Sequence, residues 1–169
     1  ALPIYGRTLP ARQGVGLARK IGADIALSLF AAGNLESKWL FNTDADARLP
    51  ADYLDLQDSD PDDKAGEVAR LYPFIHDRDG ERSQATLIYE ISMLYYATGL
   101  NWAGSPYAYP TVGSTICFDL ASYARVRGFP KRNTGEDFYL LNKLRKLGSV
   151  RCMARAPLRL SARTSDRVP

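Results

Sequence analysis

Histidine is nearly missing from this chain, with His76 the single example, and cysteine occurs only twice, at Cys117 and Cys152. The separation of the two cysteines matches no zinc pattern, and two do not make a disulfide framework. Each sits in an apolar, strand-like stretch, so both are expected to be buried free thiols in a reducing, cytoplasmic compartment. No apolar run approaches the ~18 residues that a membrane span requires. The start, Ala-Leu-Pro-Ile-Tyr-Gly-Arg, has neither an initiating Met nor the apolar core of a signal peptide, so Ala1 reads as a cut, a processed end or the edge of an incomplete gene. Internal repeats and low-complexity segments are also absent.

What is present is a globular composition: 169 residues, 46% apolar and 24% charged, enough for one domain with a sizeable core. The net charge of +3 hides an asymmetry. Residues 44–81 hold 12 acids and 4 bases, whereas residues 121–169 hold 3 acids and 12 bases. The bases of the second segment are not interleaved with aromatics as on a base-stacking surface, so no nucleic-acid partner is expected. A phosphate-bearing small ligand or peripheral contact with an anionic membrane suits that segment equally well. Mutual neutralisation of the two segments in the fold is the simplest account.

The first 13 residues read as an irregular arm. A helix is expected from Gly14 to Ala32, with an apolar stripe including Val15, Ile21, Ile25 and Leu29, ended by Gly33-Asn34. Lys38 to Asn42 reads as a strand that runs into Thr43-Asp44-Ala45-Asp46. Pro50 to Leu56 is expected to be a helical turn, and the aspartate-rich stretch 57–64 a solvated loop. A strand is expected over Glu67 to Ile75. A second helix, Gly80 to Gly99, would bury Leu87, Ile88, Ile91, Leu94 and Tyr95, along with Leu100 just beyond it. A loop (Asn101 to Pro110), a strand (Thr115 to Phe118) and a short helix (Leu120 to Val126) follow. Gly135 to Leu147 is the third clear helix, with Leu140, Leu141, Leu144 and Leu147 buried, and Val150 to Ala154 is a last strand. Residues 155–169 form a basic tail. The pattern supports a mixed α/β fold in three layers.

Two places carry candidate chemistry. At Asp44-Ala45-Asp46 an apolar strand delivers two carboxylates at its C-terminal end, the edge where open α/β sheets bind ligands. Two hard oxygen donors there suit Mg²⁺ or Mn²⁺, although aspartate is also common in solvated loops after strands. At Gly135-Glu136-Asp137 two acids open a helix. They suit its dipole, with Thr134 as a cap, yet a carboxylate in that position also serves as a general base if it faces a cleft.

The order of motifs is more telling than any one of them. Ala18-Arg19-Lys20 on the first helix leads to Asp-Ala-Asp, then to Leu49-Pro50 and Asp52-Tyr53-Leu54. Gly113-Ser114, Arg127-Gly128-Phe129-Pro130 and Gly135-Glu136-Asp137 follow. From about Gly14 to Leu147 the chain resembles family 2 glycosyltransferases. That resemblance implies the GT-A fold, a three-layer α/β/α sandwich with a mixed sheet, and transfer of a sugar from a nucleotide-diphospho-sugar donor to an acceptor hydroxyl. It implies that Asp46, with Asp44, holds the divalent cation on the donor diphosphate and that Asp44 also orients the donor. Asp137 would be the base, and Glu136 would bind the acceptor or orient that base. Gly113 and Ser114 would bind substrate. The loop with Trp102, Ser105 and Tyr107 would wall the acceptor or simply anchor on the core, and Arg163 and Arg167 would close over the diphosphate or fray as a basic tail. Inverting stereochemistry is expected, with retention left open by the Glu-Asp pair.

Family members begin with a strand and a nucleobase-binding segment that have no counterpart in the 43 residues before Asp44. The chain is therefore expected to be a single partial domain, lacking the first nucleotide-binding strands, with an unpaired sheet edge that invites pairing with another copy; the full gene product is expected to be the enzyme and this chain to be inactive alone. His76 is expected to be a strand-end residue. A phosphatase of the haloacid dehalogenase type also uses Asp-x-Asp after a strand, but Arg48 stands where that chemistry expects Thr or Val. A remnant that only binds a partner is the non-enzymatic alternative.

Overall fold

The computed structural model describes residues 3–4, 7–8, 14–55, 66–77 and 83–162. Arg163, Arg167 and the aspartate-rich stretch 57–64 lie outside the described residues. Strands β1 (Pro3–Ile4) and β2 (Arg7–Thr8) form a short antiparallel ladder within the expected arm. Helix α1 (Gly14–Ala31) and strand β3 (Trp39–Asn42) follow, then β4 (Glu67–Leu71), β5 (Phe74–His76) and helix α2 (Ser83–Trp102). A 3-10 turn at Gly113–Thr115 leads into β6 (Ile116–Asp119), which is succeeded by α3 (Leu120–Arg125), α4 (Glu136–Leu144), β7 (Ser149–Cys152) and β8 (Leu158–Leu160).

The protein is mixed α/β, and its main sheet has the order β3-β6-β4-β7. β6 runs antiparallel to both β3 and β4, and β7 parallel to β4. Side-chain alternation along β6 splits the core in two. Ile116 and Phe118 join Leu140, Leu141 and Leu144 of α4 and Tyr123 of α3 on one face. On the other, Cys117 meets Tyr53, Tyr72, Met153 and Leu158. Tyr123 fixes α1 to α3, since its hydroxyl donates to Asp24 at 2.9 Å. Lys143 of α4 donates to the carbonyls of Val126 and Gly128, both at 2.9 Å, tying α4 to the end of α3.

Several expectations are corrected. The single strand over Glu67–Ile75 is two strands in two sheets, broken at Tyr72-Pro73, because proline brings no N–H to a ladder. The tail from residue 155 contains β8, paired in parallel with β5 (Phe74↔Leu158) and anchored by buried Leu158 and Leu160. Cys152 is exposed rather than buried, as β7 is an edge strand. Thr134 does not cap α4; the cap position is Gly135, at φ 69°. Ile25 and Leu29 of α1 are exposed. The largest departure is α2: Leu87, Ile88, Ile91, Leu94 and Tyr95 are all exposed. No helix among the described residues is long and apolar enough to cross a membrane.

Candidate active site

β3 ends at Asn42, and the chain turns at once, with Ala47 N–H donating to the Asp44 carbonyl at 3.1 Å. That turn leaves Asp44 half-buried and Asp46 exposed. Both oxygens of Asp44 are engaged. Arg19 Nη2 donates to Oδ1 at 2.8 Å and Ser114 Oγ to Oδ2 at 2.7 Å. The other nitrogen of the same guanidinium, Nη1, donates to Glu136 Oε1. Arg19 therefore stands between the first acid of Asp-Ala-Asp and the first acid of Gly-Glu-Asp, with only a tenth of its side chain exposed and Glu136 buried.

Gly113 makes this arrangement feasible. A Cβ at that position would overlap the Arg19 guanidinium, so the backbone of the turn is itself the floor on which the cation lies. Asn42 at the end of β3 donates its side-chain amide to the Gly113 carbonyl, locking the turn to the strand that carries Asp44. Gly135 allows the other approach, since its left-handed backbone turns the chain into α4 and directs Glu136 inward.

Asp137 is next to Glu136 on α4 and half-buried, and its Oδ1 accepts from the Phe138 N–H at 2.8 Å. Its surroundings are aromatic. Phe138 and Tyr139 are both exposed and meet edge to face at 5.6 Å, and the Arg132 guanidinium lies 4.1 Å from the Tyr139 ring centre. On α2, desolvation of the Tyr89 hydroxyl raises its pKa, and the negative charge of Asp137 adds to the rise.

The residues expected to wall an acceptor lie at the C-terminal end of α2 and in the loop that follows it. Trp102 ends α2, about 20 Å along the helix from Tyr89 at 1.5 Å per residue. Ser105 accepts from the Tyr107 N–H at 3.3 Å, a local turn contact. Their loop is held to the C-terminal half of α4, through Arg145 Nε to the Pro106 carbonyl (2.9 Å) and Tyr109 to Asn142 (3.1 Å). His76 ends β5, as expected, with Nδ1 2.7 Å from Glu90 of α2.

Five expected residues thus converge: Asp44, Gly113, Ser114 and Glu136 meet directly, and Asp137 adjoins them. Sequence reasoning passed over Arg19, Asn42 and the Phe138-Tyr139 pair as site residues. A signal for Arg19 did exist, as a cation beside the apolar stripe of α1 in Ala-Arg-Lys. Among the described residues no three His, Cys, Asp or Glu side chains cluster in a way that would hold a metal by themselves. Asp46, exposed beside Asp44, suits an octahedral cation that keeps waters and shares ligands with substrate phosphates. Each Asp44 oxygen accepts one hydrogen bond and has a second lone pair, so those bonds do not keep Asp44 from sharing a cation with Asp46. Comparison of the chain with protein-family models, curated proteins and solved structures gives no match.

Proposed function

We propose that this domain transfers a sugar from a nucleotide-diphospho-sugar to an acceptor hydroxyl, on a three-layer GT-A-like framework. The observation that carries the reading is the Arg19 guanidinium clasped between Asp44 and Glu136. It joins at one point three of the sequence-distant segments on which the family resemblance rests.

In this reading Asp46, with Asp44, would hold a divalent cation, Mn²⁺ or Mg²⁺, which would supply positive charge to offset that of a departing diphosphate. Asp44, fixed by Arg19 and Ser114, accepts hydrogen bonds from donor hydroxyls at the rim of the turn. Asp137 takes the proton from the acceptor hydroxyl as its oxygen attacks the anomeric carbon. The bond from that carbon to the diphosphate oxygen breaks, and the nucleoside diphosphate leaves with the electron pair. The exposed Phe138 and Tyr139 rings offer apolar faces for the C–H side of an acceptor sugar.

The test is calorimetric titration of the chain with UDP and GDP, with and without Mn²⁺, alongside transfer assays. Metal-dependent nucleotide binding is expected, abolished by Asp46→Asn. Asp137→Asn is expected to keep donor binding and lose transfer by about a hundredfold or more, the usual contribution of a general base. Mn²⁺-dependent binding that persists unchanged in Asp46→Asn, or full transfer in Asp137→Asn, removes the corresponding assignment. Absence of any nucleotide binding overturns the reading for this chain.

A further inference from the structure

β8 brings the C-terminal part of the chain back to the turn that bears Asp44 and Asp46. On the side away from β5 it pairs with a single residue, Arg48, through an antiparallel bridge to Arg159. Arg48 N–H donates to the Arg159 carbonyl at 2.8 Å, and Arg159 N–H donates to the Arg48 carbonyl at 3.0 Å. Nearer the start of the same segment Arg155 Nη1 donates to the Asp52 carbonyl at 3.1 Å. The segment is thus fastened at two points to the stretch that follows Asp-Ala-Asp. Asp46 precedes Arg48 by two residues, which keeps their Cα atoms within ~7 Å of each other.

Residues that exchange both backbone hydrogen bonds stand directly opposite, about 5.5 Å apart at Cα, and their side chains leave the same face of the pair. Here that face is the outer one. Leu158 and Leu160, on either side of Arg159, are buried, whereas Arg48 and Arg159 are both exposed. Two like charges directly opposite each other on one face are unfavourable. Asp77 meets Arg159 only at 3.6 Å, and 59% of the Arg159 side chain stays open to solvent. An anion between the two guanidinium groups relieves the repulsion, and guanidinium forks match phosphate oxygens in pairs. A diphosphate has oxygens enough for both arginines and for a cation at Asp46 as well.

We infer that Arg48 and Arg159 form a two-armed clamp for the diphosphate of a ligand, beside the Asp44-Ala45-Asp46 turn. That the diphosphate belongs to a nucleotide-sugar rests on the transferase reading. The clamp itself rests on the bridge, which sets two cations face to face next to the candidate metal carboxylate.

The test is calorimetric titration with inorganic pyrophosphate in metal-free buffer, and separately with UDP and Mn²⁺. The parent chain binds pyrophosphate. Arg48→Gln with Arg159→Gln weakens both pyrophosphate and UDP about tenfold or more, and each substitution alone weakens them as well. Circular dichroism is unchanged, because the bridge between these residues is made by backbone atoms. Arg125→Gln with Lys146→Gln removes the same charge from two other exposed positions and leaves binding as in the parent. The inference is overturned if the parent does not bind pyrophosphate, if the Arg48 and Arg159 double variant binds it as the parent does, or if the control pair weakens it equally. UDP separates the two readings. Binding of UDP with Mn²⁺ that is equal in parent and double variant removes the clamp and keeps the transferase reading. Pyrophosphate binding that the double variant loses, with no UDP binding by the parent, keeps the clamp and removes the transferase reading.

Discussion

Arg19 is the residue on which the candidate site is built, and its removal should be felt in two ways. Glu136 is almost wholly buried, so Arg19→Ala leaves a carboxylate in low dielectric without its cation. Losing one partner of such a pair is expected to lower stability by about 3 kcal/mol, read as a shift of the urea midpoint. Gly113→Ala attacks the same contact from the other side, because the new methyl occupies the place of the guanidinium. The displaced group is the far end of a flexible side chain, so the fold adapts while the bridge opens. In the Arg19→Ala background Gly113→Ala should therefore cost little, a non-additivity that a double-mutant cycle measures. Strict additivity of the two changes would mean that Gly113 acts independently of Arg19. Lysine at position 19 is no substitute, since a single ammonium does not span two carboxylates as a planar fork does.

At the scale of elements, α4 was the most legible from sequence: its leucines at 140, 141 and 144 are buried as their spacing requires, and its acids stand at the expected end. Asp44 and Glu136 were likewise named from motif order. Arg19 escaped because local pattern shows a cation on a helix but not the carboxylates that reach it from 25 and 117 residues away. α2 misled for a related reason, since periodicity identifies apolar side chains without saying whether anything covers them. The break at Pro73 was obscured by apolar residues on both sides, and Leu-Arg-Leu at 158–160 is too short an alternation to stand out. The exposure of α2 has its own outcome in hydrogen exchange. With one fully buried side chain among those described, α2 should open at much lower free energy than α4 or β6, and its amides should exchange first.

The whole molecule keeps several weak acids in its interior, and this sets its behaviour in alkali. Burial raises the Cys117 thiol above its ordinary value of 9.0, and the Tyr53 and Tyr123 hydroxyls above 10.0. Above those ordinary values the unfolded chain releases protons that the folded chain retains. The folded state then binds more protons, and stability falls as pH rises through 9 and 10. Lys143 is shifted the opposite way, chiefly by burial and then by Lys20 and Arg127, and offsets part of the loss below 10.5. Tyr89, Tyr109 and Cys152 are raised by burial as well, so six groups against one leave a net decline, and the urea midpoint should be clearly lower at pH 10 than at pH 7. An unchanged midpoint would mean that these groups titrate in the folded protein as they do in the unfolded chain.

The sheet order also has a consequence for the order in which the protein is made. Among the described residues β3 pairs only with β6, and Trp39 finds its partner in Asp119, 80 residues later. At synthesis rates of about 5–20 residues per second, β3 waits on the order of ten seconds for the strand that completes its ladder. Until then the turn bearing Asp44 has neither Ser114 nor Glu136 to face. The first half of the chain thus emerges with β3, β4 and β5 still without their partners, and the clasp around Arg19 closes only when the second half arrives.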